Sequence, residues 1–243
     1  SDLLRDYPSR WDGIFTYLKP DLSELLMLRG IIPSDAESHY RLAGHYEKLR
    51  MTALAREEYE LACRKAGADR PHVRTRSAGG LAGAGKTDRA LEFLDAWIRE
   101  DPSEPSYLVA RARLYGGRKR YRDAIEDLEA ALKQEPKDAP ARKLVAEYYV
   151  RCDDIRKAED VLREGVRIAP REAAQYLALA DFYARQERWE DAVRTLEKLT
   201  EIYPFTARYV VELGDLCYRA GSPHRAIQAY RKAIQLGERH DRL

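Results

Sequence analysis

Alanines recur along this chain at a nearly constant interval. Ala55, Ala90, Ala124, Ala158, Ala192 and Ala226 are separated by 35 residues once and by 34 residues four times. Two further columns share the register. Pro102, Pro136, Pro170 and Pro204 each follow an alanine of the ladder by 12 residues, and Tyr46, Tyr115, Tyr149 and Tyr183 each precede one by 9. A period of this length constrains the fold severely. Each repeat is one small supersecondary unit that cannot bury its apolar face alone, so neighbouring units must stack.

The unit 139–172 shows what stacks. "APARKLVAEYYVRC" carries apolar residues at helical spacing, "DDIRK" turns the chain, and "AEDVLREGVRIA" supplies a second amphipathic stripe that Pro170 ends. The repeated alanine marks a close approach of two helices, where a larger side chain would overpack by roughly 1–3 kcal/mol. The pattern predicts six helix pairs at 36–69, 71–104, 105–138, 139–172, 173–206 and 207–240, with Arg70 inserted after the first. Two short capping helices are expected within 1–35, covering the first pair with Trp11, Phe15, Leu22, Leu25 and Leu26, and 241–243 is a tail.

With these columns in place the sequence resembles the tetratricopeptide repeat family. The fifth unit fits it best, through Tyr176, Leu179, Ala180, Tyr183, Ala192, Leu196 and Pro204. The last keeps Leu213, Gly214, Ala226, Tyr230 and Ala233 but has Cys217 at the aromatic position and Glu238 at the proline position, where Gly237 is expected to end the helix. The second departs most, with Ser77, Leu81 and Trp97 at family positions. The resemblance implies an all-α, right-handed superhelical solenoid of antiparallel helix pairs. It also implies a non-catalytic scaffold that binds a protein or peptide in a concave groove lined by the first helix of each pair.

"GGLAGAGKTDRALEFL", Gly79 to Leu94, matches the phosphate-binding pattern G-x-x-x-x-G-K-[ST] from Gly80 to Thr87. Such a loop needs a buried strand on its upstream side, so that backbone N–H groups and a helix N-terminus converge on the phosphates. "RPHVRTRS" holds one valine among three arginines and cannot be that strand. The register instead puts Gly85 in an inter-helix turn, with Thr87 or Asp88 as helix cap. A nucleotide hydrolase is therefore disfavoured. Gly79, Gly80 and Gly83 fall inside a helix, at a cost of about 3 kcal/mol in intrinsic helicity, which makes the second unit the expected weak link.

Carried over from the family, the groove receives Tyr40, Arg41, His72, Thr75, Arg76, Val109 and Arg113 from the first three units. Gly44, Gly79, Gly83, Gly116 and Gly117 lie between them, small residues that would let a partner backbone come close. These cations suggest an acidic partner segment. The later units contribute Lys143 and three i,i+4 pairs, Glu147–Arg151, Asp181–Arg185 and Asp215–Arg219, each worth about 0.2–0.5 kcal/mol within its own helix. A basic run, Arg118, Lys119, Arg120 and Arg122, occupies the turn of the third unit. The Lys and Asn clamp by which some family members hold a chaperone's C-terminal carboxylate is missing, since the chain has no asparagine.

Composition narrows the rest. A net charge of +2 with 35% charged residues gives no global field for nucleic acid, and aromatic stacking platforms beside the basic run are limited to Tyr115 and Tyr121. Cys63, Cys152 and Cys217 stand far apart, and the five histidines lack metal-ligand spacing, so neither a metal nor another cofactor is expected. No apolar run approaches the roughly 20 residues of a membrane span, and a signal-peptide pattern is missing from a sequence that starts at Ser1. A cytoplasmic protein is the first expectation, and a soluble segment of a membrane-anchored bacterial assembly the second. Ile227, Ala233, Ile234 and Leu236 form a terminal stripe expected to be bare, through which weak self-association over 223–240 would follow.

Overall fold

The computed structural model describes residues 35–240, with side chains through 237. The capping helices expected within 1–35 and the 241–243 tail therefore lie outside the described residues, apart from Asp35. Every regular element among the described residues is an α-helix. The chain divides into two compact bodies, Ser1–Gly85 and Lys86–Leu243.

The first body holds α1 (Ala36–Lys48), α2 (Thr52–Lys65) and α3 (Pro71–Gly83), and α3 packs on both of the others. The second holds α4 (Thr87–Glu100), α5 (Pro105–Gly117), α6 (Tyr121–Gln134), α7 (Ala139–Arg151), α8 (Ile155–Ile168), α9 (Ala173–Arg185), α10 (Trp189–Ile202), α11 (Ala207–Arg219) and α12 (Pro223–His240). Within it each helix packs on the next, and α7 also touches α9, so pairs stack upon pairs.

Local chemistry sets the helix ends. Asp35, Asp138 and Asp154 accept hydrogen bonds from backbone N–H groups three residues on, and Glu104 from one two residues on. Pro71 and Pro105 open their helices, where the missing N–H costs nothing. Thr87 and Asp88 do not cap α4, contrary to expectation. Lys86 holds the cap position, Thr87 is the first helical residue, and the Asp88 carboxylate pairs with Arg118 instead. Gly237 likewise ends nothing, because α12 runs through it to His240.

The backbone repeats with the sequence. In every pair, one residue of the connecting turn has positive φ: Arg50, Gly85, Lys119, Asp153, Glu187 and Gly221, at 57° to 88°. A left-handed residue with a Cβ costs roughly 1–2 kcal/mol. Gly85 thus has a backbone reason to be glycine that involves no phosphate. The residues before it, Pro71–Gly83, form a helix where a phosphate-binding loop requires a strand.

The alanine ladder is the axis of packing. Ala55, Ala90, Ala124, Ala158 and Ala192 are 0% exposed and Ala226 is 1% exposed, so no room remains for a larger side chain. At the far end, Ala233 is buried and Leu236 packs against Val210, Ala229 and Ala233. The expected bare stripe is therefore corrected to Ile227 and Ile234, joined by Tyr218 and Val211.

The three glycines of α3 are not equivalent. A Cβ on Gly80 would lie 2.3 Å from the buried Tyr59 ring, whereas nothing stands within 4 Å of Gly79 or Gly83. Gly80→Ala is therefore expected to destabilise, although helix propensity alone favours it. Gly79→Ala is expected to stabilise by about 1 kcal/mol. Chemical denaturation of the two variants checks this, with opposite signs as the expected outcome.

Candidate partner-binding groove

In the first body, Tyr40, Arg41 and Arg76 gather around a residue the sequence reading overlooked, Glu37. Arg41 Nε lies 3.1 Å and Arg76 Nη1 3.8 Å from the Glu37 carboxylate, and the Arg76 guanidinium stands 4.3 Å above the Tyr40 ring. The two cations thus share one anion, whose charge lowers the net positive charge they present, and Arg76 alone also rests on an aromatic face. His72 is exposed on the first turn of α3, where its carbonyl accepts the Thr75 hydroxyl at 3.1 Å. Around Gly44, Gly79 and Gly83 the space is open, as a close-approach surface requires.

In the second body Arg113 is exposed on α5, and Val109 is half-buried one turn earlier. Gly116 does not provide open floor, because Tyr148 of α7 fills that space, its hydroxyl 2.1 Å from where a Cβ would stand. Gly117 is open. The basic turn is partly neutralised. Arg118 pairs with Asp88, and Arg120 pairs with Asp123 at 2.9 Å while stacking 4.4 Å from the Tyr115 ring.

The expected i,i+4 ladder forms at one of its three steps. Arg185 Nη2 reaches Asp181 at 3.1 Å within α9, but its Nη1 stands 3.8 Å from Glu147 on α7. Lys143 of α7 completes the crossing with a 2.8 Å pair to Asp181. Partial burial pushes the Asp181 carboxyl up, yet hydrogen bonds from Lys143 and Arg185 outweigh it and hold the group below the ordinary carboxylate range. Arg151 is exposed and leaves Glu147 to Arg185. At the third step Asp215 accepts the Tyr230 hydroxyl at 2.7 Å, and Arg219 lies 4.7 Å above the Trp189 ring. The charges therefore connect first helices across pairs, because α7 and α9 lie side by side.

These residues border two adjoining clefts. One of about 920 Å³ is lined by Lys143, Glu147, Arg151, Asp181 and Arg185 over a floor that includes Ala146, Ala178 and Phe182. The other, about 610 Å³, shares Lys143, Ala178 and Asp181 and continues to Arg208, Glu212, Asp215 and Arg219 of α11. Side by side they make a run of both charge signs over an apolar floor along α7, α9 and α11.

Sequence reasoning missed the polar junctions between pairs. Arg111 reaches Asp127 through two hydrogen bonds, 2.8 and 2.6 Å, and Asp95 through a third of 2.7 Å. Glu159 accepts from Arg188 and from the Tyr183 hydroxyl. Arg142 is buried and donates to the carbonyls of Val161 and Pro136. A signal existed for Arg111, which stands in the column that holds Leu42, Val145, Leu179 and Leu213 in other units. No cluster of metal-ligating side chains occurs among the described residues, and no described helix is long and apolar enough to cross a membrane.

Known proteins bear on this arrangement through fold. A tetratricopeptide repeat protein from Parabacteroides merdae is 18% identical, with a TM-score of 0.50, covering 82% of this chain and 79% of its own. MamA 41-end from Desulfovibrio magneticus RS-1 is 21% identical, with a TM-score of 0.48, covering 71% of this chain and 98% of its own. None of the curated proteins compared with the chain matches it. Two family profiles, both described as tetratricopeptide repeat, match residues 117–179 and 177–240 and together span just over half of the sequence. Proteins of this kind are generally non-catalytic scaffolds for protein–protein interaction. With its ladder of buried alanines, its recurrent left-handed turn and its stacked helix pairs, the chain belongs to the tetratricopeptide repeat family.

Proposed function

We propose that this chain is a non-catalytic scaffold that holds an extended or helical segment of a partner protein along α7, α9 and α11. The observation that carries this reading is the pair of adjoining clefts, whose apolar floor is bordered by Lys143, Asp181 and Arg185 in a shared cross-helix network. Each of these cations has an acid beside it, so the groove favours a segment of alternating charge over a uniformly acidic one.

Crosslinking to a partner, followed by mapping of the bound segment, supplies the ligand for the test. Lys143→Glu with Arg185→Glu is expected to weaken binding at least about tenfold, since attraction becomes repulsion at two neighbouring points. Reversal at exposed Arg64 and Arg167, which lie on α2 and α8, should change it by about 1 kcal/mol or less. Added salt should weaken the wild-type complex, chiefly through slower association. Binding indifferent to the double reversal, with amide protection confined to second helices, would refute the groove and leave the fold intact.

A further inference from the structure

The charges of the groove follow two columns that break on α5. Arg113, Glu147, Asp181 and Asp215 stand 34 residues apart on the first helices of successive pairs, and Gly117, Arg151, Arg185 and Arg219 form a second column one turn later. Beyond α5 the earlier column holds only acids and the later one only arginines. On α5 a cation replaces the acid and glycine replaces the cation. The floor at Gly117 is open, with nothing within 4 Å of where a Cβ would stand.

Packing decides which members of the columns meet. Glu147 of α7 faces Arg185 of α9 at 3.8 Å, a partner 38 residues on. The same step from Arg113 of α5 leads to Arg151 of α7, and these two helices also touch, through Tyr148 seated on Gly116. Two guanidiniums therefore occupy the positions where the next step has a carboxylate and a guanidinium. Both are exposed, and neither has an ion pair or a side-chain hydrogen bond among the described residues. The other cations of the groove are already engaged: Lys143 and Arg185 with Asp181, Arg208 with Glu212, and Arg219 over the Trp189 ring. Arg151, Tyr148 and Gly116 line the cleft of about 920 Å³, and Arg113 lies one turn before Gly116. Its charge reaches into that cleft, where it opposes the rise that burial gives the Tyr148 phenol.

We infer, resting on the reading of this groove as a partner-binding surface, that Arg113 and Arg151 clasp one side-chain carboxylate of the bound segment, an aspartate or a glutamate. A carboxylate is the group the chain itself sets opposite Arg185, and its two oxygens can serve two guanidiniums at once. The open floor at Gly117 lets the partner's backbone come close enough to deliver it. Because the remaining cations already have partners, this one acid fixes the register of the segment along the groove.

One arm of the test needs no ligand. Arg113→Glu restores the pattern of the column and should raise the urea midpoint of the full chain by about 0.2–0.5 M through pairing with Arg151. In an Arg151→Gln background that gain should vanish. A midpoint unchanged or lowered, or a gain that persists without Arg151, overturns the proposal, since the two positions then do not meet. The second arm uses labelled peptides, acetylated and amidated so that their only carboxylate is a side chain: Leu-Ala-Lys-Ala-Leu-Ala-Glu-Ala-Leu-Ala-Lys, and the same with glutamine for glutamate. The full chain should prefer the glutamate peptide at least about fivefold, and Arg113→Gln with Arg151→Gln should abolish the preference. A preference that survives the double change removes this anchor and leaves the groove standing, whereas absence of saturable binding by either peptide removes both. A phosphoserine peptide that binds more than about tenfold more tightly than the glutamate one would overturn the carboxylate in favour of a phosphoryl group.

Discussion

Replacing Arg111 with alanine should destabilise the second body by about 3–5 kcal/mol, the largest effect expected of any single polar side chain here. Its guanidinium meets Asp127 in a two-point fork, and the Asp127 side chain is only 9% exposed. The geometry is the strong form of an ion pair, with two parallel charge-assisted hydrogen bonds. Removing the cation would leave a carboxylate buried without its partner, and most of the cost comes from that stranded charge. Asp95, the third member, is 47% exposed, so Asp95→Ala should cost about 1 kcal/mol or less. Arg111→Met combined with Asp127→Leu separates the pair's worth from the penalty of breaking it. The double variant should recover most of the lost stability, because apolar replacement of a buried pair is often neutral. Urea unfolding of the three variants measures all of this. Equal losses in Arg111→Ala and Asp95→Ala would show that burial of Asp127 contributes nothing.

How much of this was legible depends on whether a residue's reason lies in its own helix or in a neighbour's. The alanine ladder could be read because each of its members meets the same neighbouring surface, and that surface recurs with the chain. The left-handed turn could be read only where glycine fills it. Arg50, Lys119, Asp153 and Glu187 adopt the same backbone with side chains that give no sign of it. The charge pairs of the groove were assigned to single helices because i,i+4 spacing is visible in a string, whereas the approach of Arg185 to Glu147 across 38 residues is not. Gly79 and Gly80 are alike in sequence, and Tyr59, 21 residues before Gly80, decides which of them tolerates a methyl group. Thus spacing carried the fold, while the partners of individual polar groups had to come from the packing of one pair on another.

Gly165 offers the sharpest case, because propensity and packing predict opposite signs for one methyl group. It sits inside α8, where alanine would gain about 1 kcal/mol in helix propensity. Its Cβ, however, would lie 2.2 Å from Gln175 Oε1 and 2.3 Å from Arg142 Cδ. Neither neighbour yields easily. Gln175 is 1% exposed and anchored by its amide nitrogen to the Lys137 carbonyl at 3.0 Å. Arg142 is 5% exposed, and its two terminal nitrogens hold Val161 and Pro136 carbonyls at 3.1 and 2.6 Å. Burial already draws the Arg142 pKa below its ordinary value, so its remaining hydrogen bonds are what make the charge tolerable there. Displacing it costs about 1–3 kcal/mol in overpacking, together with about 1.5–3 kcal/mol for a charged hydrogen bond lost. Gly165→Ala is therefore expected to destabilise by roughly 2–4 kcal/mol net of the propensity gain. Arg142→Met in the same chain should relieve part of the clash, so the two changes should combine to less than their sum. A stabilised Gly165→Ala variant would mean that Arg142 and Gln175 move aside freely, and that the contact between α8 and α9 is looser than its burial implies.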